Sequence, residues 1–233
     1  MNRDIIEKLS AARAAKRPVA LATNLRSGQQ KLIYADGAEG ELCLDVDMTA
    51  AAVDAIHRDH HTRLSTPAGE VFIQVFNPPP RLIIVGAVHI AQPLARMGDL
   101  AGYGVSIIDP RRGFAESQRF EGVEISGEWP DEAMARLKPD ARSAVVTLTH
   151  DPKLDDPALE AALKSSAFYV GALGSRKTHA ARLDRLKALG FSETDLKRIH
   201  GPVGLDIGAL SPAEIAISIL AQITQLRRAG ADE

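Results

Sequence analysis

The sequence holds one cysteine, Cys43, among 233 residues, few aromatic side chains (4%), and no excess of either charge, with 28 Lys and Arg against 30 Asp and Glu. A single cysteine excludes an internal disulfide framework and suits a reducing compartment. The scarcity of aromatics argues against a base-stacking surface, and the net charge of −2 against a nucleic-acid footprint or a basic membrane-binding face. No run approaches the roughly eighteen apolar residues of a membrane span. Residues 1–17 alternate charged and apolar side chains at helical spacing and lack the apolar centre of a secretory signal. The expectation is a cytoplasmic protein with no nucleic-acid partner and no membrane span. A P-loop, a zinc pattern and a Ser-His-Asp arrangement are also missing. The cluster His57-Arg58-Asp59-His60-His61 has two histidines one helical turn apart, but the helix ends there and no further ligand follows. It reads as a solvated helix end, so no metal is expected and no catalytic residue is assigned.

What is present is organised around residues 81–109. Leu82 to Val85 form a short apolar run of buried-strand type, and Gly86 turns the chain. A helical stretch follows with Ile90, Leu94, Met97 and Ala101 on one face, closed by Gly102 and Gly104. A second apolar run, Val105 to Ile108, ends on Asp109. This is the strand–turn–helix–strand unit of a dinucleotide-binding fold, with an acid about twenty residues after the turn. The turn reads Gly86-Ala87-Val88-His89, so Val88 stands where a second glycine would let the backbone approach a pyrophosphate. The unit therefore argues for the architecture more than for NAD. The predicted fold is α/β, a Rossmann-like doubly wound parallel sheet at the C-terminal end with a smaller α+β domain before it. Asn77-Pro78-Pro79-Pro80 can join neither helix nor central strand, which places the boundary between domains 1–77 and 78–233.

Before the boundary, spacing predicts an amphipathic helix over 2–16 (Ile5, Ile6, Leu9, Ala12) and strands over 19–25 and 31–34. It also predicts a strand over 41–44 carrying Cys43 as a small buried hydrophobe, a helix over 50–58 capped by Thr49, and a strand over 70–76. Beyond it, strands are predicted at 123–126, 144–149 and 168–170. Helices are predicted after Trp129, over 157–165 with Asp156 as cap, from Ser175 to Gly190, and from the capping boxes at Ser192 and Ser211. The last helix carries Ile215, Ile219, Ile223 and Leu226 as its stripe.

Ligands of open parallel sheets bind beyond the carboxyl ends of the strands. Four such ends carry unusual residues: Gly86 to His89, Asp109, His150-Asp151, and Gly171 to Lys177. In the last, Ser175 is a natural N-cap, which puts Arg176 and Lys177 in the first helical turn, where cations oppose the helix dipole. An anion bound there reverses the sign, because the N–H groups and both cations would address it. His89 and His150 could contact ligand or exchange protons near neutral pH. Asp109 could accept ribose hydroxyls or bond the adjacent arginines, and Asp151 could equally initiate a turn.

Several of these segments together resemble the XdhC/CoxI family of xanthine dehydrogenase accessory factors. The stretches are Pro79-Pro80-Arg81-Leu82 into Gly86-Ala87-Val88-His89, Asp109-Pro110-Arg111 with Phe114-Ala115, and Leu148-Thr149-His150-Asp151. They continue with Tyr169-Val170-Gly171-Ala172-Leu173-Gly174-Ser175-Arg176, and Gly204-Leu205-Asp206-Ile207-Gly208 with Glu214-Ile215-Ala216. The resemblance implies a C-terminal Rossmann domain and a chaperone that binds molybdenum cofactor, in mono- or dinucleotide form, aids its sulfuration and delivers it to a molybdenum hydroxylase. It implies further a homodimer, with a cysteine desulfurase as a possible second partner. By the same resemblance, the cofactor-binding residues would be Gly86, His89, Asp109, His150, Asp151, Gly171, Gly174, Ser175, Arg176, Lys177, Gly204 and Asp206, the Gly204 to Gly208 loop closing over the site. Glu41-Leu42-Cys43-Leu44-Asp45 is similar to the family's Gly-Gly-Cys-x-Glu segment without its glycines, which would bring Cys43 near the cofactor. The rival expectation is an NAD(P)-dependent oxidoreductase on the same fold.

Overall fold

A computed structural model describes residues 3–111, 120 and 122–229. The chain divides into two compact units, one up to Pro78 and one from Pro79 to Ala229.

The first unit runs α1 (Arg3–Ala14), β1 (Val19–Asn24), β2 (Gln30–Tyr34), β3 (Gly37–Gly40), α2 (Val46–Arg58), β4 (Thr62–Thr66) and β5 (Gly69–Phe76). Its five strands form one sheet in the order β3-β2-β1-β5-β4, with every pairing antiparallel. The central strand β1 is buried on both faces, so it reads as a continuous apolar run. Val19 and Leu21 pack with Ile5, Leu9 and Ala12 of α1, while Ala20 and Ala22 pack with Ala52, Ala55 and Ile56 of α2. Three expectations are corrected here. Glu41 to Leu44 is not a strand: the pairing of β3 with β2 ends at Gly40, the Glu41 and Leu42 N–H groups then share the Gln30 carbonyl at 3.1 and 3.2 Å, and Cys43 is exposed and not a buried hydrophobe. Helix α2 starts one turn sooner than Thr49, since the Asp45 carboxylate accepts the Met48 N–H at 2.7 Å and caps it. Ile6 is exposed, leaving the α1 stripe at Ile5, Leu9 and Ala12. His61 lies past α2, its Nδ1 accepting the Val75 N–H at 3.0 Å.

The second unit runs β6 (Arg81–Val85), α3 (Ala91–Leu100), β7 (Gly104–Ile108), β8 (Glu124–Ser126), α4 (Pro130–Leu137), β9 (Ser143–Thr147), α5 (Pro152–Lys164), β10 (Tyr169–Ala172), α6 (Arg176–Ala188), α7 (Glu193–Leu196), β11 (Ile199–His200) and α8 (Pro212–Arg228). All six strands are parallel, in the order β11-β10-β9-β6-β7-β8. Chain order therefore reverses between β6 and β9, the switch point of a doubly wound sheet. Alternation sends Leu82 and Ile84 to a core with α3 and α8, and Ile83 and Val85 to a core with α4, α5 and α6. The boundaries differ from expectation in α5, which begins at Pro152 because Asp151 accepts the Lys153 N–H at 3.0 Å; Asp156 lies inside the helix. Proline at the first helical position has no N–H to lose, so the earlier start is unstrained. Leu226 is 37% exposed, so the buried stripe of α8 stops at Ile223.

The segment before α8 is docked onto it. Gln222 Oε1 accepts both the Tyr169 hydroxyl at 2.6 Å and the Gly204 N–H at 2.9 Å. Gly204 has φ +93°, and a Cβ there would lie 2.3 Å from Ser218 Oγ and 3.1 Å from the Ile219 nitrogen. Gly204→Ala is accordingly expected to cost about 2–4 kcal/mol, the sum of a left-handed backbone penalty and overpacking against α8. Urea unfolding of the two proteins checks it.

Candidate functional site

Register brings the strand ends together. Val85 stands opposite Ile108 on one side and Thr147 on the other, and Thr147 stands opposite Ala172. The next residues, Gly86, Asp109, Leu148 and Leu173, therefore emerge side by side at one rim of the sheet. Because β6, β9 and β10 run parallel, the helices that follow them start at that rim as well. The loops touch. A Cβ on Gly86 (φ +106°) would lie 2.4 Å from Thr149 Cγ2, so only glycine lets the first turn close on the loop after β9. A Cβ on Gly174 (φ +142°) would lie 3.7 Å from His150 Nδ1, which puts His150 beside the turn that opens α6.

That turn is the electropositive end of the rim. Ser175 caps α6, its Oγ accepting the Thr178 N–H at 3.2 Å. Arg176 and Lys177 follow, both exposed, and the first turn carries no acid. Neither cation forms an ion pair among the described residues. Two uncompensated cations at the positive end of a helix dipole are unfavourable by themselves and become favourable when an anion sits between them and the N–H groups. His150 is exposed and held at φ +64°, and His89 is exposed in the turn before α3.

Other sequence-predicted residues are used differently. Asp109 does not face the rim. It is 1% exposed, its Oδ2 accepting the Ala87 N–H at 2.8 Å and Arg111 Nη2 at 2.7 Å, and its Oδ1 accepting the Arg111 N–H and Nε at 3.0 and 2.9 Å. Both oxygens are engaged inside the fold, so the carboxylate braces the first turn instead of binding a ribose. Burial alone pushes this carboxyl up, but the Arg111 side chain and the Ala87 and Arg111 N–H groups outweigh it and hold the pKa below the usual value. Asp151 caps α5, its Oδ1 accepting the Lys153 N–H. Gly171 is a packing glycine: a Cβ there would meet Val203 Cγ2 at 2.6 Å. Gly204 belongs with α8 by the contacts above, and with it the Gly204 to Gly208 loop is docked at its first residue instead of free to close; Asp206 is exposed. Cys43 belongs to the first unit. Phe114 and Ala115 lie outside the described residues. Among the described residues, no three His, Cys, Asp or Glu side chains are placed to hold a metal ion.

Sequence reasoning missed a buried polar chain beneath the rim. Thr149 Oγ1 donates to Asp155 Oδ1 at 2.6 Å and accepts the Asp151 N–H at 3.1 Å. Asp155 Oδ2 is 3.4 Å from Arg182 Nη2, which donates to the Leu173 carbonyl at 2.9 Å. Asp155 and Arg182 are both 1% exposed, and burial raises the Asp155 pKa against the pull of Thr149 and Arg182. The available signal was a charge in an apolar stripe: Arg182 stands one turn before Leu186, and Asp155 one turn before Leu159.

The model of the XdhC Rossmann domain matches residues 82–223. The molybdenum cofactor insertion chaperone PaoD of Escherichia coli K12 is 34% identical over 152 residues, covering 65% of this chain and 42% of its own length. A Bacillus subtilis 168 protein named as a probable component of xanthine dehydrogenase is 29% identical over 185 residues, covering 79% of this chain and 52% of its own. This chain thus spans about half or less of these curated relatives. A crystal structure described as a xanthine dehydrogenase from Bacillus halodurans superposes with a TM-score of 0.76 at 25% identity, covering 98% of this chain and 68% of that one.

Asp109→Asn should lower stability at neutral pH by about 2–3 kcal/mol, since it removes a charge-assisted brace; Arg111 keeps 34% of its side-chain surface exposed, which holds the cost below that of a fully buried pair. The folded-state pKa is depressed, so this stability is present above the unfolded carboxyl value of about 3.9 and lost as pH falls through the folded value. Unfolding curves of both proteins at pH 7 and in the acid range should converge on acidification.

Proposed function

Since the chain belongs to the XdhC Rossmann-domain family, we propose that it is an accessory protein that binds molybdenum cofactor and aids its maturation and insertion into a xanthine dehydrogenase-type molybdenum hydroxylase. The observation that carries the reading is the start of α6, where Ser175, Arg176 and Lys177 present N–H groups and two cations that form no ion pair among the described residues, beside His150. Those residues fit the phosphate-bearing end of a pterin cofactor. Arg176 and Lys177 would neutralise the phosphate, the Gly174 turn would admit it to the backbone, and His150 and His89 would flank it. When bound, the cofactor supplies the molybdenum and sulfur chemistry of the partner enzyme; this chain holds, orients and releases it.

An NAD(P)-dependent oxidoreductase on the same fold is less well supported. A nicotinamide dinucleotide needs open amides in the first turn and an acid facing its ribose. Here the Gly86 N–H donates to the Ile108 carbonyl, the Ala87 N–H donates to Asp109, and Val88 packs against the core with α3. The chaperone reading carries further proposals: homodimerisation, residence in the cytoplasm, and acceptance of sulfur from a cysteine desulfurase. Among the described residues, no helix is long and apolar enough to cross a membrane.

Co-expression with a molybdenum hydroxylase is the test. Molybdenum content and hydroxylase activity should rise several-fold with this chain present, and Arg176→Ala should remove most of the gain while leaving the unfolding curve unchanged. Equal molybdenum content with and without the chain would refute the role.

A further inference from the structure

Helices α5 and α6 are joined by two ion pairs of different character. Asp156 and Arg185 form a two-pronged pair at 2.6 and 2.9 Å with Arg185 40% exposed, which suffices to dock one helix on the other. Asp155 and Arg182 are almost wholly buried, stand 3.4 Å apart, and leave Arg182 Nε and Nη1 with no hydrogen-bond partner among the described residues. A long, under-satisfied buried pair is a poor stabilising device, because desolvation of both charges exceeds what that geometry returns. Its connections are more informative than its strength. Arg182 holds the Leu173 carbonyl, immediately before the Gly174 turn. Asp155 holds the hydroxyl of Thr149, and the Thr149 methyl is the atom that fills the space over Gly86. The loops after β6, β9 and β10 are thus tied through Thr149, Asp155 and Arg182.

We propose that Arg182 is a positioning residue for the rim, acting through Asp155 and Thr149 to hold those loops at the spacing an anion requires. The proposal rests on the anion-site reading of α6 given above. It separates two quantities that a merely structural role would move together, affinity for an anion and stability of the fold.

The test uses the full chain, inorganic phosphate as the probe, and the amide NMR signals of Ser175 to Thr178 as reporters. In the unaltered protein these signals should shift saturably with phosphate. Thr149→Val keeps the methyl over Gly86 and replaces only the hydroxyl; it should stay folded and bind phosphate about tenfold more weakly, equivalent to about 1.4 kcal/mol. Thr149→Ser, which retains the hydroxyl, should bind close to the original affinity. Arg182→Met combined with Asp155→Leu leaves no lone buried charge, so it should unfold at or above the original temperature while showing the same loss of affinity. Unchanged phosphate affinity in the folded double variant and in Thr149→Val would overturn the positioning role and leave the anion site standing. Amides of the unaltered protein that do not respond to phosphate would overturn both.

Discussion

Parallel pairing of β6 with β7 on one side and β9 on the other constrains everything else in the second unit. Parallel strands cannot be joined by tight turns, so each must be followed by a crossover, and each crossover helix starts at the same rim. The register then leaves no freedom in which residues meet there. Once Val85 is set opposite Ile108 and Thr147, Gly86 must lie against the loop that carries Thr149. The helix starts and their amides converge because the sheet is parallel, and the site is a consequence of that geometry.

The helix starts at the rim differ in the groups that lie beside them. The turn before α3 has Asp109 folded beneath it as a built-in anion, with Arg111 as its counter-ion. Helix α5 has the Asp151 carboxylate as its cap. Helix α6 has only the neutral Ser175 and two cations. Helix α3 itself has neither a side-chain cap nor an acid in its first turn, so of these three helices only α5 is capped by a carboxylate.

Periodicity and punctuation carried most of the elements. Runs such as Leu82 to Val85, and caps such as Ser175, Ser192 and Ser211, depend on contacts a few residues away, and such contacts can be read from the chain itself. The errors came where two local signals competed. Asp45 and Thr49 could each open α2, and Asp151 and Asp156 could each open α5; the earlier acid prevailed in both because its carboxylate accepts an N–H of the first turn, Met48 at 2.7 Å and Lys153 at 3.0 Å, and in α5 the added turn also buries Leu154. The stretch around Cys43 reads as a strand candidate, but the pairing of β3 with β2 ends at Gly40.

The doubly wound class, the capped start of α6 and the family were all legible in the chain, because they are written in short-range spacing and in motifs with a fixed order. The use of each candidate side chain was not, and it emerged only from the folded arrangement. Asp109 could serve a ligand or the backbone, and the choice depended on whether its carboxylate met solvent or the Ala87 N–H across a strand pairing. Thr149, Asp155 and Arg182 form a chain only because α5 and α6 pack side by side. Partners far apart in sequence are chosen by burial, because a desolvated polar group must be satisfied by whatever three-dimensional neighbour can reach it.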